Sequence, residues 1–147
     1  MANISNVGSV TDGLSEVLAD TYRLVMKSHV YHWNVTGPLF FSIHEMTEEQ
    51  YTNMFTAADV LAERIRALGE LAVLNPTDTA IGKDADARLS AKEMAEDLVD
   101  DHEHLARRMR TLVETAEAAD DPATADLATE RAAFHEKAAW MLRATAA

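Results

Sequence analysis

Apolar residues recur every three or four positions along four stretches of this chain, and that rhythm predicts four helices. In the first, Leu14, Val17, Leu18, Leu24 and Val25 share a face over residues 11–35, with Ser9 and Asp12 as a weak capping box ahead of them. "TGP" at 36–38 stops that helix and restarts the chain, because Gly suits a helix end and Pro a helix beginning. A second helix over 39–69 carries Ile43, Met54, Ala58, Leu61, Ile65 and Leu68 on one face and closes at Gly69. Ser90 and Glu93 make a stronger capping box for a third helix over 91–118, whose apolar face is Met94, Leu98, Leu105, Met109 and Leu112. "DDP" at 120–122 opens a fourth helix over 122–145, with Asp121 as N-cap and Pro122 at the first helical position. Phe134, Trp140, Met141 and Leu142 are its expected apolar anchors.

The links between these helices set the topology. Two are short, which makes the first and second helices one antiparallel hairpin and the third and fourth another. The stretch 70–89 is about 20 residues long, enough at roughly 3.3 Å per extended residue to return along a bundle of about 45 Å. The expected fold class is therefore all-α: a ferritin-like four-helix bundle, one domain over 1–147, with a long crossover between its second and third helices. A short helix is expected within that crossover, since wholly irregular loops of this length are uncommon.

Composition narrows the chemistry. Cys is absent, so any metal must be held by His and carboxylate. The formal charge of −12 opposes binding to nucleic acid, a polyanion gripped largely through Lys and Arg. No apolar run approaches the roughly 20 residues that span a bilayer, and the N-terminus has no basic start, so a soluble, cytoplasmic chain without a membrane partner is expected.

The second helix carries the candidate site. Placing His44 at zero, and turning about 100° per residue, Glu48 falls near 40°, Asp59 near 60° and Glu63 near 100°. These four form one stripe, on a side of the helix away from its apolar face, and Tyr51 and Phe55 lie beside it. A solvated charged face seldom carries two aromatics, so a second buried surface is expected there. His44 and Glu63 are nevertheless separated by roughly 28 Å along the axis, whereas metal bonds to N or O are about 2 Å long. A two-fold axis removes the difficulty. If the helix packs antiparallel on its own copy, with the axis between Asn53 and Met54, residues whose numbers sum to 107 face each other, pairing His44 with Glu63 and Glu48 with Asp59. His32 joins from the first helix, because 32 and 44 are equally distant from Pro38 in the turn. The site so assembled is His32, His44 and Glu48 of one chain with Asp59 and Glu63 of its partner, a donor set suited to Fe(II), Mn(II) or Zn(II). Glu-x-x-His, the ligand motif of an intrachain di-iron bundle, is absent, and Asp101-x-x-His104 is the nearest match.

"HWNVTGP" at 32–38, "FFSIHEMTEEQY" at 40–51 and "DVLAERIRALG" at 59–69 resemble the core signature of the Dps family, the mini-ferritins of bacteria and archaea. The likeness continues through "DLVDDHEHLARRMR" and "AWMLRA" and so covers nearly the whole chain. The resemblance implies a homo-oligomer, a dodecamer built from two-fold dimers, that oxidises Fe(II), preferably with hydrogen peroxide, at a ferroxidase centre and stores ferric mineral in a hollow shell. It also implies that His32, His44, Glu48, Asp59 and Glu63 are the iron ligands. Glu48 stands where many members have Asp. Asp120, Asp121, Asp126 and Glu130 resemble the acidic lining of the family's cation pores, although capping alone accounts for Asp121. Trp33 stands where the family keeps an oxidisable aromatic near the centre, and a plain interface anchor explains it equally well.

The family's other activity, DNA compaction, usually depends on basic tails. Here the first basic residue is Arg23 and the chain ends in "RATAA", so direct DNA binding is not expected. A competing reading makes the stripe an ion-pair seam with Arg64 and Arg66. His29 is near enough to His32 in the helical repeat to give a secondary metal contact, while His102, His104 and His135 read as surface or hydrogen-bonded histidines.

Overall fold

The computed structural model describes residues 4–74, 79, 81 and 83–147, and it contains four helices: α1 (Ile4–Asn34), α2 (Phe40–Ala67), α3 (Ala91–Ala118) and α4 (Pro122–Ala146). Their directions follow from which side chains meet. Tyr31 bonds Asp97 while Arg108 bonds Asp20, so α1 and α3 are antiparallel. His32 stacks on His44 and Tyr22 meets Phe55, so α1 and α2 are antiparallel as well. The pairs Arg64–Asp121 and Arg131–Asn53 set α4 against α2. It follows that α2 and α3 run the same way, which is why the link between them must travel the length of the bundle. This is the ferritin-like four-helix arrangement.

The core is the four apolar faces meeting: Leu14, Leu24, Ile43, Met54, Leu61, Ile65, Met94, Leu98, Leu105, Met109 and Leu142 are all buried. Removing such residues from water is the main force holding the helices together. Helix ends follow local chemistry. Ser90 accepts a bond from the Glu93 N–H, and the Glu93 carboxylate accepts one from the Ser90 N–H. Asp121 accepts from the Thr124 N–H with Pro122 behind it. At the end of α2, Gly69 takes a φ of 95°, a left-handed conformation that an L side chain would resist.

Two expectations change. First, α1 begins at Ile4, so Ser9 and Asp12 lie inside the helix, and the Thr11 hydroxyl bonds back to Val7 and Gly8. Val10 is buried, so packing extends the amphipathic face a turn upstream and overrides the weak propensity of Gly8. Second, Trp140 faces outward at 61% exposure, and the inner face of α4 is built instead from Ala125, Ala128, Ala132, Ala139, Leu142 and Ala146. Small residues let α4 approach α3 closely. The crossover in which a short helix was expected includes residues 75–78, 80 and 82, which lie outside the described residues.

The crossover is held by its far end. Arg23 pairs with Asp84, the Asp86 N–H donates to the Tyr31 hydroxyl, and that hydroxyl donates to Asp97 at 2.6 Å. Burial, then the bond to Asp97, pushes the Tyr31 hydroxyl well above its ordinary value. Lys27 lies in the same layer, 2.9 Å from Asp97 and 2.6 Å from Asp101. Among the described residues no helix is long and apolar enough to cross a membrane.

Candidate metal centre

The turn at 35–39 places His32 of α1 beside His44 of α2, with their rings stacked at 3.8 Å and an interplanar angle of 13°. Each imidazole then donates across the hairpin to the other's backbone. His32 Nδ1 lies 2.7 Å from the His44 carbonyl, and His44 Nδ1 lies 2.7 Å from the His32 carbonyl. A carbonyl only accepts, so both Nδ1 atoms must carry the proton. In a neutral ring the lone pair is then on Nε2, the atom left to bind a metal. Thr47 is buried beneath and also donates to the His44 carbonyl, 3.2 Å away.

Asp59 and Glu63 lie one turn apart and exposed near the other end of α2. The Glu63 carboxyl is raised above its ordinary value by a hydrogen bond to Asp59 and then by the Asp59 charge. A carboxyl raised by a neighbouring carboxylate gains from a cation placed close to both. Among the described residues neither forms an ion pair with a basic side chain. Arg64 is committed to Asp121 and Thr124, and Arg66 to the Glu70 carbonyl, so the ion-pair seam with these two arginines does not form. Glu48 is exposed between the two pairs; Tyr51 beside it is pushed up by burial and then by the Glu48 charge.

Among the described residues, no three His, Asp or Glu side chains come close enough to hold one ion. The structure brings His32 and His44 together and Asp59 and Glu63 together, but not one pair to the other. The surface between them is apolar: Phe55 is 58% exposed and meets Tyr22 edge-on at 6.1 Å, and Met26 is also exposed. The His29 ring lies tilted against Trp33 at 4.0 Å and Tyr51 at 4.5 Å, and 5.9 Å from the ring of His32.

A family model for the ferritin-like domain matches residues 11–147. A DNA protection during starvation protein of Brevibacillus brevis is 39% identical over 134 residues, spanning 89% of this chain and 90% of the relative. The structure of a Dps protein from Bacillus brevis superposes with a TM-score of 0.90 at 36% identity, covering 95% of this chain and 96% of that one. The chain belongs to the Dps family. Another Dps structure, from Vibrio cholerae O1, superposes with a TM-score of 0.88 at 28% identity over 98% and 96% of the two chains, and is described as a member of a broad superfamily of ferritin-like diiron-carboxylate proteins.

In this Dps chain the acidic group at the start of α4 divides in two. Asp126 and Glu130 are exposed, but Asp121 is only 3% exposed and its carboxylate is fully engaged. Burial works to raise it, yet the bonds from Thr124 and the Arg64 guanidinium outweigh that and hold it below the usual carboxylate range. Asp121 therefore fastens α4 to α2. Asp120 sits at φ 55°, a left-handed turn that Asp tolerates. Of the histidines read as surface or hydrogen-bonded, His102 and His135 are the hydrogen-bonded kind, meeting each other in the middle of the core, a contact that sequence reasoning did not foresee.

Proposed function

We propose that this Dps chain oxidises Fe(II) at a centre shared across a dimer two-fold, and stores the ferric product inside a hollow homo-oligomeric shell. His32, His44 and Glu48 of one subunit bind iron together with Asp59 and Glu63 of the next. The observation that carries this reading is the reciprocal imidazole–carbonyl lock, which leaves two Nε2 lone pairs aimed away from the hairpin with no partner in their own chain. The unpaired carboxylates at the far end of α2 are the complementary half. The exposed apolar strip at Phe55 and Met26 is the surface that an antiparallel copy of α2 would cover. A cation entering the site is neutralised by Asp59 and Glu63.

The oxidant is hydrogen peroxide. Two Fe(II) ions each give one electron, the O–O bond breaks, two protons are taken up, and two water molecules leave. Electrons delivered as a pair produce no hydroxyl radical, so the activity protects the cell from oxidative damage. The family likeness supports twelve subunits and a cytoplasmic site of action. Zn(II) and Mn(II) match the same donors and would compete with iron.

The test is anaerobic Fe(II) loading followed by a stoichiometric peroxide pulse, tracking ferric absorbance and particle mass. Rapid oxidation with ferric iron retained in a multi-subunit particle is expected; slow oxidation that leaves iron in solution would refute the reading. Protection of DNA then needs no contact with DNA. With a formal charge of −12 per chain, no gel shift is expected at moderate salt without added divalent cations, and a robust shift would overturn that expectation.

A further inference from the structure

The bundle interior holds a polar cluster that the metal chemistry does not use. His102 of α3 and His135 of α4 are fully buried, and their Nδ1 atoms lie 2.9 Å apart. Only one of the two nitrogens can donate across that gap, so the contact joins a neutral Nδ1–H to a neutral Nδ1 lone pair. Arg131, 3% exposed, lies alongside: its Nη1 donates to Asn53 Oδ1 at 2.8 Å and its guanidinium sits 4.4 Å over the Phe134 ring. Phe134 in turn meets both imidazoles edge-on, at 5.0 and 6.3 Å.

A divalent cation does not suit this cluster. No third His, Asp or Glu joins the pair among the described residues, and a permanent guanidinium charge stands next to it. The surrounding groups offer a proton no compensation either. From α2 the polar neighbours of this layer are the neutral Gln50 and Asn53, and Gln50 is buried with both amide atoms unbonded within the chain. From α1 comes Lys27, itself a cation and already held by Asp97 and Asp101 of α3. His104 stands on α3 two residues on; α4 supplies Arg131, with the exposed Glu130 acting on Arg131 and on neither imidazole, and the exposed Lys137 of α4 and Glu49 of α2 lie at the rim.

We propose that the His102–His135 pair is an acid-triggered release in the bundle: taking up protons forces α3 and α4 apart at this layer. Two imidazolium rings would set N–H against N–H beside a guanidinium, in a fully buried layer where neither ring has a carboxylate partner. Burial, and after it the Arg131 charge, lowers His102 to about 3; burial, then His102 and Arg131, lowers His135 well below its ordinary value. In the unfolded chain both titrate near 6.5. Above that pH both states are neutral and the full stability is present; as pH falls from about 6.5 towards 3, the unfolded chain binds protons that the folded chain refuses, and stability drains away. Two such groups raise the unfolding equilibrium constant by up to about 100-fold per pH unit. Opening here also pulls on α2, through the Arg131–Asn53 bond.

Imidazole C2-hydrogen exchange, read by mass spectrometry on the iron-free assembled protein, tests this directly. Peptides carrying His102 and His135 should show no titration step between pH 5 and 8 in the native protein, and a step near 6.5 in the urea-unfolded chain. Native steps near 6.5 would overturn the proposal. Urea unfolding at a series of pH values should also be steeper towards acid in the wild type than in the His102→Leu/His135→Leu double variant, by as much as about 100-fold per pH unit. Equal slopes would likewise overturn it. Should the double variant fail to fold, exchange on the wild type decides alone, and neither measurement depends on iron oxidation.

Discussion

Asp59→Ala is expected to slow iron oxidation by roughly 100-fold or more while leaving the particle mass unchanged. Loss of a group that merely orients a metal ligand typically costs about 10- to 100-fold, and a directly bound carboxylate should cost at least as much. Asp59 is exposed and makes no ion pair in its own chain, so its removal takes nothing from the bundle. It does take the hydrogen bond and the charge that raise Glu63, whose carboxyl should then titrate closer to its ordinary value. Oxidation at the wild-type rate in an intact particle would eliminate the shared centre and leave α2 with an interface face of no catalytic meaning. Because Arg64 and Arg66 are bonded elsewhere, a lost ion pair could not be blamed for a slowed rate.

Lys27→Met should destabilise the fold by about 4 kcal/mol at neutral pH, lowering the unfolding temperature by roughly 10 °C. Lys27 is the cation between Asp97 and Asp101, and its side chain is almost wholly buried, so its loss leaves two carboxylates facing each other with nothing between them. The effect carries a pH signature. Burial pushes the Asp101 carboxyl up to about 6 even against the pull of Lys27. A raised folded-state value means that protonation favours the fold: its contribution is complete below about pH 4, where an unfolded Asp is also protonated, and is lost as pH rises through 6. The gap between wild type and variant should thus be widest above pH 6 and narrow at pH 5, as measured by thermal unfolding of both proteins side by side. An equal loss at pH 7.5 and pH 5 would show that Lys27 acts by packing alone.

Helix existence and topology were legible because large apolar residues repeat with the helical period and because only one link is long enough to cross the bundle. The level match of His32 and His44 was legible for the same reason: a hairpin turning at Pro38 makes their heights equal. The reciprocal bonds between them were not, since they depend on ring orientations that spacing does not reveal. On α4, attention to bulky residues favoured Trp140, whereas the buried seam runs through Ala128, Ala132, His135, Ala139 and Leu142 in steps of four, three, four and three. Leu98, His102, Leu105 and Met109 keep the same steps on α3. Both histidines therefore sat on apolar seams that could have been read. Their meeting could not, because it depends on how the tight turn at 119–121 sets one helix against the other. Closure of the metal centre is legible in neither one sequence nor one chain, since it needs a second copy.

The separation of the two donor pairs along α2 has a consequence for a newly made chain. A folded but solitary subunit holds its His44 imidazole and its Asp59–Glu63 carboxylates roughly 22 to 28 Å apart along α2, so it can catch a ferrous ion weakly at either end but cannot gather the full set of ligands around one. On the proposed reading, redox competence arrives only with the second subunit. Ferric product therefore forms where a container is already being built, and a stray monomer diffusing among nucleic acid and metabolites is chemically disarmed.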